Sequence, residues 1–251
     1  MPLFRRRPNP LPADTVAPLL RQWLAQFSSL RTVERERLVE LTVTAVQRFR
    51  WEAANGFEVT DEMKVVVAGH AALLVLGLDE GIDLYDDVTS VIVHPSTIVR
   101  HGTSWMGSEY GHLMSDGRDP VIGEAHHKGP VLVSWDAAAE QSRHPGRGEN
   151  VLLHEFAHRL DMLDGVSDGT PPIDDDGTLA KWVEVCRHAF DRVRDDHPSV
   201  LRPYAGEHPS EFFAVATELF FTRGNLLRRD EPALYALLRD FYRQDPAARE
   251  T

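Results

Sequence analysis

The stretch Asn150-Val151-Leu152-Leu153-His154-Glu155-Phe156-Ala157-His158-Arg159-Leu160-Asp161-Met162-Leu163-Asp164-Gly165 decides how the rest of the chain is read. Its apolar residues recur at helical spacing, so it predicts a helix over 151–163. Asn150 is the expected N-cap and Gly165 the expected stop. On such a helix His154 and His158 stand one turn apart on one face, so two imidazoles can hold one ion. Glu155, next to the first histidine, can reach a water on that ion. This is the H-E-x-x-H pattern, with two neutral nitrogen ligands and one carboxylate base. Two core histidines bonded to backbone groups are the bland alternative. They would be expensive on a buried helix without a shared partner.

A catalytic zinc takes three protein ligands and leaves one position for water. Two residues compete for the third place. Asp164 lies six residues after His158, but the helix is expected to run on past Asp161 and carry it beyond the ion. Glu211 is favoured. Pro209 suits the first turn of a helix, and Glu211 then sits in that turn, ahead of the apolar run Phe212–Phe221. A glutamate on a buried helix needs a partner, and a metal ion supplies one. Glu218, seven residues on, shares that face. It is read first as a salt-bridged carboxylate, with support of a ligand as the sharper alternative.

Composition narrows the class. The 251 residues are 42% hydrophobic and 26% charged, as in ordinary globular proteins. A net charge of -12 argues against a nucleic-acid surface. No apolar run is long enough to span a membrane. Arg5-Arg6-Arg7 is followed by Pro8 and Pro10 and not by the apolar stretch of a secretory signal. Cys186 is the one cysteine, which fits a cytoplasmic protein. It reads as a small core residue rather than a nucleophile.

Along the chain, helices are expected at 14–27, 33–52, 61–78, 136–141, 179–195, 209–223 and 232–242. Strands are expected at 88–94, 97–99, 121–124 and 130–135. His70 reads as a core or interface residue. The segment 101–120 reads as a long loop. The acidic segment 164–177 lacks the alternating ligand spacing of a calcium loop and reads as a solvated loop that caps the next helix. The strand at 130–135 is a candidate sheet edge for an extended peptide, and His126 and His127 beside it are candidates to line a cleft. The expectation is one α+β domain over 14–246, with helices flanking a small, mostly antiparallel sheet. Residues 1–13 and 247–251 are expected to be loose ends.

HEFAHRLDMLDG (154–165), GPVLVSW (129–135) and PYAGEHPSEFFAVATELFF (203–221) resemble the Mlc titration factor A family of bacterial zinc metallopeptidases. The likeness runs from about residue 14 to Pro246. The Tyr204-to-Glu211 spacing and the EFFA that follows are also similar to the catalytic domain of anthrax lethal factor. The resemblance implies a zincin-like domain with one zinc per chain, held by His154, His158 and Glu211. It implies Glu155 as general base and Tyr204 as a stabiliser of the transition state. It implies cytoplasmic, aminopeptidase-like activity on a peptide or protein, and contact with a Mlc-like transcriptional repressor. A protein that sequesters such a regulator without cleaving anything is the alternative. One departure stands out. Thermolysin-type enzymes place an acid four residues after the glutamate ligand to orient a histidine, and here that residue is Val215. Asp161 is the candidate to take over that role.

Overall fold

The structure, a computed structural model, describes residues 11–54, 56–96 and 129–249. The expected strands at 97–99 and 121–124, the loop 101–120, and His126 and His127 lie outside them. In chain order come α1 (Ala13–Trp23), α2 (Thr32–Arg48), β1 (Trp51–Ala53), α3 (Asp61–Leu74), β2 (Val91–His94) and β3 (Val131–Ser134). Then follow α4 (Trp135–Arg143), α5 (Val151–Asp161), α6 (Asp176–Arg194), α7 (Pro209–Thr222), α8 (Gly224–Asp230) and α9 (Pro232–Tyr242). Among the described residues no helix is long and apolar enough to cross a membrane.

The expected α+β composition is present, but the sheet corrects the expectation of antiparallel strands. Its order is β1-β2-β3, and both pairings are parallel. The reason is connectivity. Parallel neighbours need a long crossover, and α3 supplies one between β1 and β2. β1 itself falls where the helical period continues to Glu52. Helix α2 stops at Arg48 because Phe49 turns to extended backbone, with φ −66° and ψ 135°. The Trp51 indole then donates to the Val46 carbonyl at 2.9 Å, covering one of the helix's open ends. Trp51 pairs with Val91, and Val91 with Val131. Among the described residues β3 is terminal in this order, with α4 following it directly.

Two helices are buried all round and organise the core. In α3 every residue from Val65 to Leu74 is buried, and in α7 every residue from Ser210 to Phe221. α3 ends four residues short of the expected Leu78. The chain turns at Gly77, where a Cβ would stand 2.3 Å from the Tyr242 carbonyl oxygen. Only glycine permits that approach. Phe156 on α5 stacks on Phe49 at 5.7 Å and meets Tyr85 edge-on at 5.1 Å. That cluster fixes α5 against the α2–β1 corner. Cys186 is half-buried against the core, and burial raises its thiol to about 12. That disfavours the reactive thiolate.

Candidate metal centre

The site grows from the way α5 begins. Four amides at a helix start have no partner inside the helix. Here the buried amides at the start find one from side chains. Asn150 Oδ1 accepts from Leu152 N at 3.1 Å and Leu153 N at 3.0 Å. Gln141 Oε1 accepts from Val151 N at 2.6 Å, and Glu218 Oε2 accepts from Asn150 N at 2.6 Å. The expected cap is therefore in place, and a carboxylate from α7 completes it. Gly165, at φ +99°, ends the turn after α5 as expected.

This anchoring lays α5 along α7 with their polar side chains face to face. His154 Nε2 lies 3.1 Å from His158 Nε2 and 3.1 Å from Glu211 Oε2. His158 Nε2 lies 3.5 Å from the same oxygen. All three residues are buried. A tetrahedral ion with bonds of about 2.0–2.1 Å sets its ligand atoms about 3.3–3.4 Å apart. The three edges of this triangle fit such an ion, and two nitrogens with one carboxylate oxygen are the donor set zinc takes. The structure thus brings together the three residues expected as ligands. Asp164 is elsewhere: its Oδ1 accepts from Val166 N at 2.9 Å in the turn after α5.

Behind the triangle stands Glu218, 1% exposed. Its Oε1 accepts from His154 Nδ1 at 2.8 Å and from Arg202 Nη2 at 2.7 Å. With Nδ1 engaged by Glu218, Nε2 is the nitrogen that faces the triangle. Glu218 is thus the salt-bridged carboxylate of the plain reading, and it also holds the ring of His154 in place. Asp161 does not orient either histidine among the described residues. Its Oδ2 takes a 3.3 Å bond from Ser167 Oγ. The helix geometry that nominates Asp161 cannot show Glu218, which arrives at Nδ1 from another helix. The signal available in sequence is the spacing of Glu211 and Glu218, seven apart on one buried helix face.

The electrostatics of the pocket favour positive charge. Burial by itself favours the neutral ring of His154. The carboxylates of Glu211 and Glu218 outweigh it and push the pKa up to about 10. Burial likewise opposes charge on Glu218, yet His154 and Arg202 hold its carboxyl below the ordinary range. Burial, with Asp168 nearby, raises the Asp161 carboxyl to about 7.

Glu155 sits on α5 beside the first histidine and is partly exposed. Tyr204 lies on the one-turn helix Pro203–Gly206, half-buried, with its ring 6.2 Å from the His154 ring at 33°. The acidic loop ends as expected in a cap: Asp175 Oδ1 accepts from Thr178 N at 3.0 Å at the start of α6.

Residues 4–243 match the family model described as glucose-regulated metallo-peptidase M90. The chain belongs to that family. A metallo-peptidase family agrees with a buried cluster that could hold a metal ion. The Mlc titration factor A of Yersinia pestis (strain Pestoides F) is 32% identical over 245 residues, covering 93% of this chain and 88% of that protein. The protein of the same name from Yersinia pseudotuberculosis gives the same figures. An uncharacterized protein of Synechocystis sp. is 30% identical over 250 residues, covering 97% of this chain and 87% of its own length.

Proposed function

We propose that this M90 chain is a zinc peptidase that cleaves peptide bonds, in the aminopeptidase-like manner its family resemblance implies. The observation that carries the reading is the closed triangle of His154, His158 and Glu211, backed by Glu218. Zinc, when bound there, supplies a Lewis acid and lowers the pKa of its water toward about 7. Glu155 takes a proton from the attacking water and passes it to the leaving amine. The Tyr204 hydroxyl donates a hydrogen bond to the carbonyl oxygen as it gains negative charge. Glu218 keeps His154 in the tautomer that the ion needs. The terminal strand β3 is the proposed edge for an extended peptide. We propose a cytoplasmic location, as the family resemblance implies.

The relatives' name supports a second reading, in which the chain binds and sequesters a Mlc-like transcriptional repressor. Glu155 separates the two, because a merely structural ion needs its ligands but no adjacent base. The zinc-loaded protein and its Glu155→Gln variant are incubated with a mixed peptide pool, and products are identified by mass spectrometry. Cleavage by the wild type alone supports the peptidase. Equal turnover in the variant removes Glu155 from the mechanism. No cleavage by either, with capture of the repressor by both, favours sequestration.

A further inference from the structure

We propose that Arg202 is a positioning residue that couples the metal ligand His154 to Tyr204. The inference rests on the proposed role of Tyr204 for one of its two arms; the other arm needs only the metal site. Arg202 Nη2 donates to Glu218 Oε1 at 2.7 Å, the same oxygen that receives His154 Nδ1 at 2.8 Å. The guanidinium carbon also stands 5.7 Å from the centroid of the Tyr204 ring. One side chain therefore touches the carboxylate that orients a ligand and the ring proposed to meet the oxyanion.

The backbone makes this pairing rigid. Arg202 precedes Pro203, which holds it in extended conformation, with φ −66° and ψ 154°. Pro203 fixes its own φ and starts the turn that carries Tyr204. On either side Leu201 and Ala205 are buried. Gly206 closes the turn so tightly against α6 that a Cβ there would meet Arg194 backbone atoms at 3.0 Å. Arg202 and Tyr204 thus leave one short, well-packed stretch of backbone, with Arg202 bonded to Glu218. Arginine is needed because its planar head can bond a carboxylate while lying against an aromatic ring; lysine offers the charge without the plane.

The test uses the full chain and two readouts that need no peptide hydrolysis. Zinc affinity is measured by chelator competition. Binding of benzohydroxamate, whose oxygens occupy the oxyanion region, is measured by calorimetry on the zinc-loaded protein. Arg202→Met should weaken zinc about 10-fold, the lower end for loss of an outer-shell partner. Arg202→Lys should restore zinc affinity to within about threefold and still bind hydroxamate about 10-fold more weakly than wild type, as Tyr204→Phe should. Combining Arg202→Lys with Tyr204→Phe should add nothing further. Wild-type zinc affinity in Arg202→Met overturns the metal arm. Wild-type hydroxamate affinity in Arg202→Lys, or additivity with Tyr204→Phe, overturns the tyrosine arm. Arg202→Lys keeps a cation for Glu218 and carries the test should Arg202→Met fail to fold. Because hydrolysis is not read, failure of the peptidase assignment leaves these outcomes intact.

Discussion

Two buried histidines in this molecule meet opposite fates. His70 sits in α3 among apolar neighbours, and its Nδ1 bonds the Val66 carbonyl one turn back at 2.8 Å. Burial lowers its pKa to about 4, against the slight pull of that carbonyl. His154 sits in α5, about as buried as His70, yet two carboxylates from α7 raise it to about 10. Depth in the core does not distinguish them. What differs is the charge brought opposite: α7 brings Glu211 and Glu218 to His154, while among the described residues no carboxylate raises His70. A site for a cation is made by the neighbour's charges, not by the imidazole.

The contrast can be broken most severely at Glu211. Glu211→Ala removes the carboxylate that closes the triangle and should cost more than the ~10–100-fold typical of an outer-shell loss. Zinc affinity should fall on the order of 1,000-fold, about 4 kcal/mol. Undiminished zinc binding by chelator competition would remove Glu211 from the ligand set.

The next effect concerns His70. Its unfolded ring takes a proton near pH 6.5 and its folded ring only near 4. Between those values the unfolded chain binds more protons, so stability rises with pH. The contribution is complete above pH 6.5 and is lost as pH falls toward 4, by up to about 3 kcal/mol. Urea unfolding of wild type and His70→Leu at about pH 7 and about pH 4.5 checks this. The variant should lose less stability on acidification, and parallel losses would refute the assignment.

The smallest effect compares the two helix starts. Thr60 caps the exposed start of α3 through one bond, Met63 N to Oγ1 at 3.3 Å. Asn150 is buried and satisfies two amides. Asn150→Ala should cost about 2 kcal/mol and Thr60→Ala about 0.5–1 kcal/mol, measured by thermal unfolding. Equal costs would mean that burial of the α5 cap adds nothing.

Legibility follows sequence distance. His154, Glu155 and His158 fall within five consecutive residues, and their cap and stop lie in the same stretch, so the helix and its chemistry can be read directly. Glu211 is legible for a different reason, as a charge stranded in an apolar helix. The orienting role of Glu218 is harder to read, because which atom it meets depends on how α7 crosses α5. Asp161 misleads for the same reason. β1 is hidden because Val46, Phe49 and the residues around them continue a helical period; the break is made by the ladder from Trp51 to Val91, about forty residues away. The direction of the strands is hidden too, since short alternating runs look alike whichever way they pair.

The sheet register also bears on how the chain folds. Trp51 meets Val91 and Val91 meets Val131, so each parallel contact joins positions 40 apart, with no hairpin to start it. Contacts of such span must overcome loop-closure entropy before they return any energy. Helix α3 packs on α2 across a connection of only 12 residues, 49–60, so their nearest contacts are more local. The helical pair is therefore expected to collapse first and present Trp51 to an incoming strand, making the sheet a late product of folding and not its nucleus.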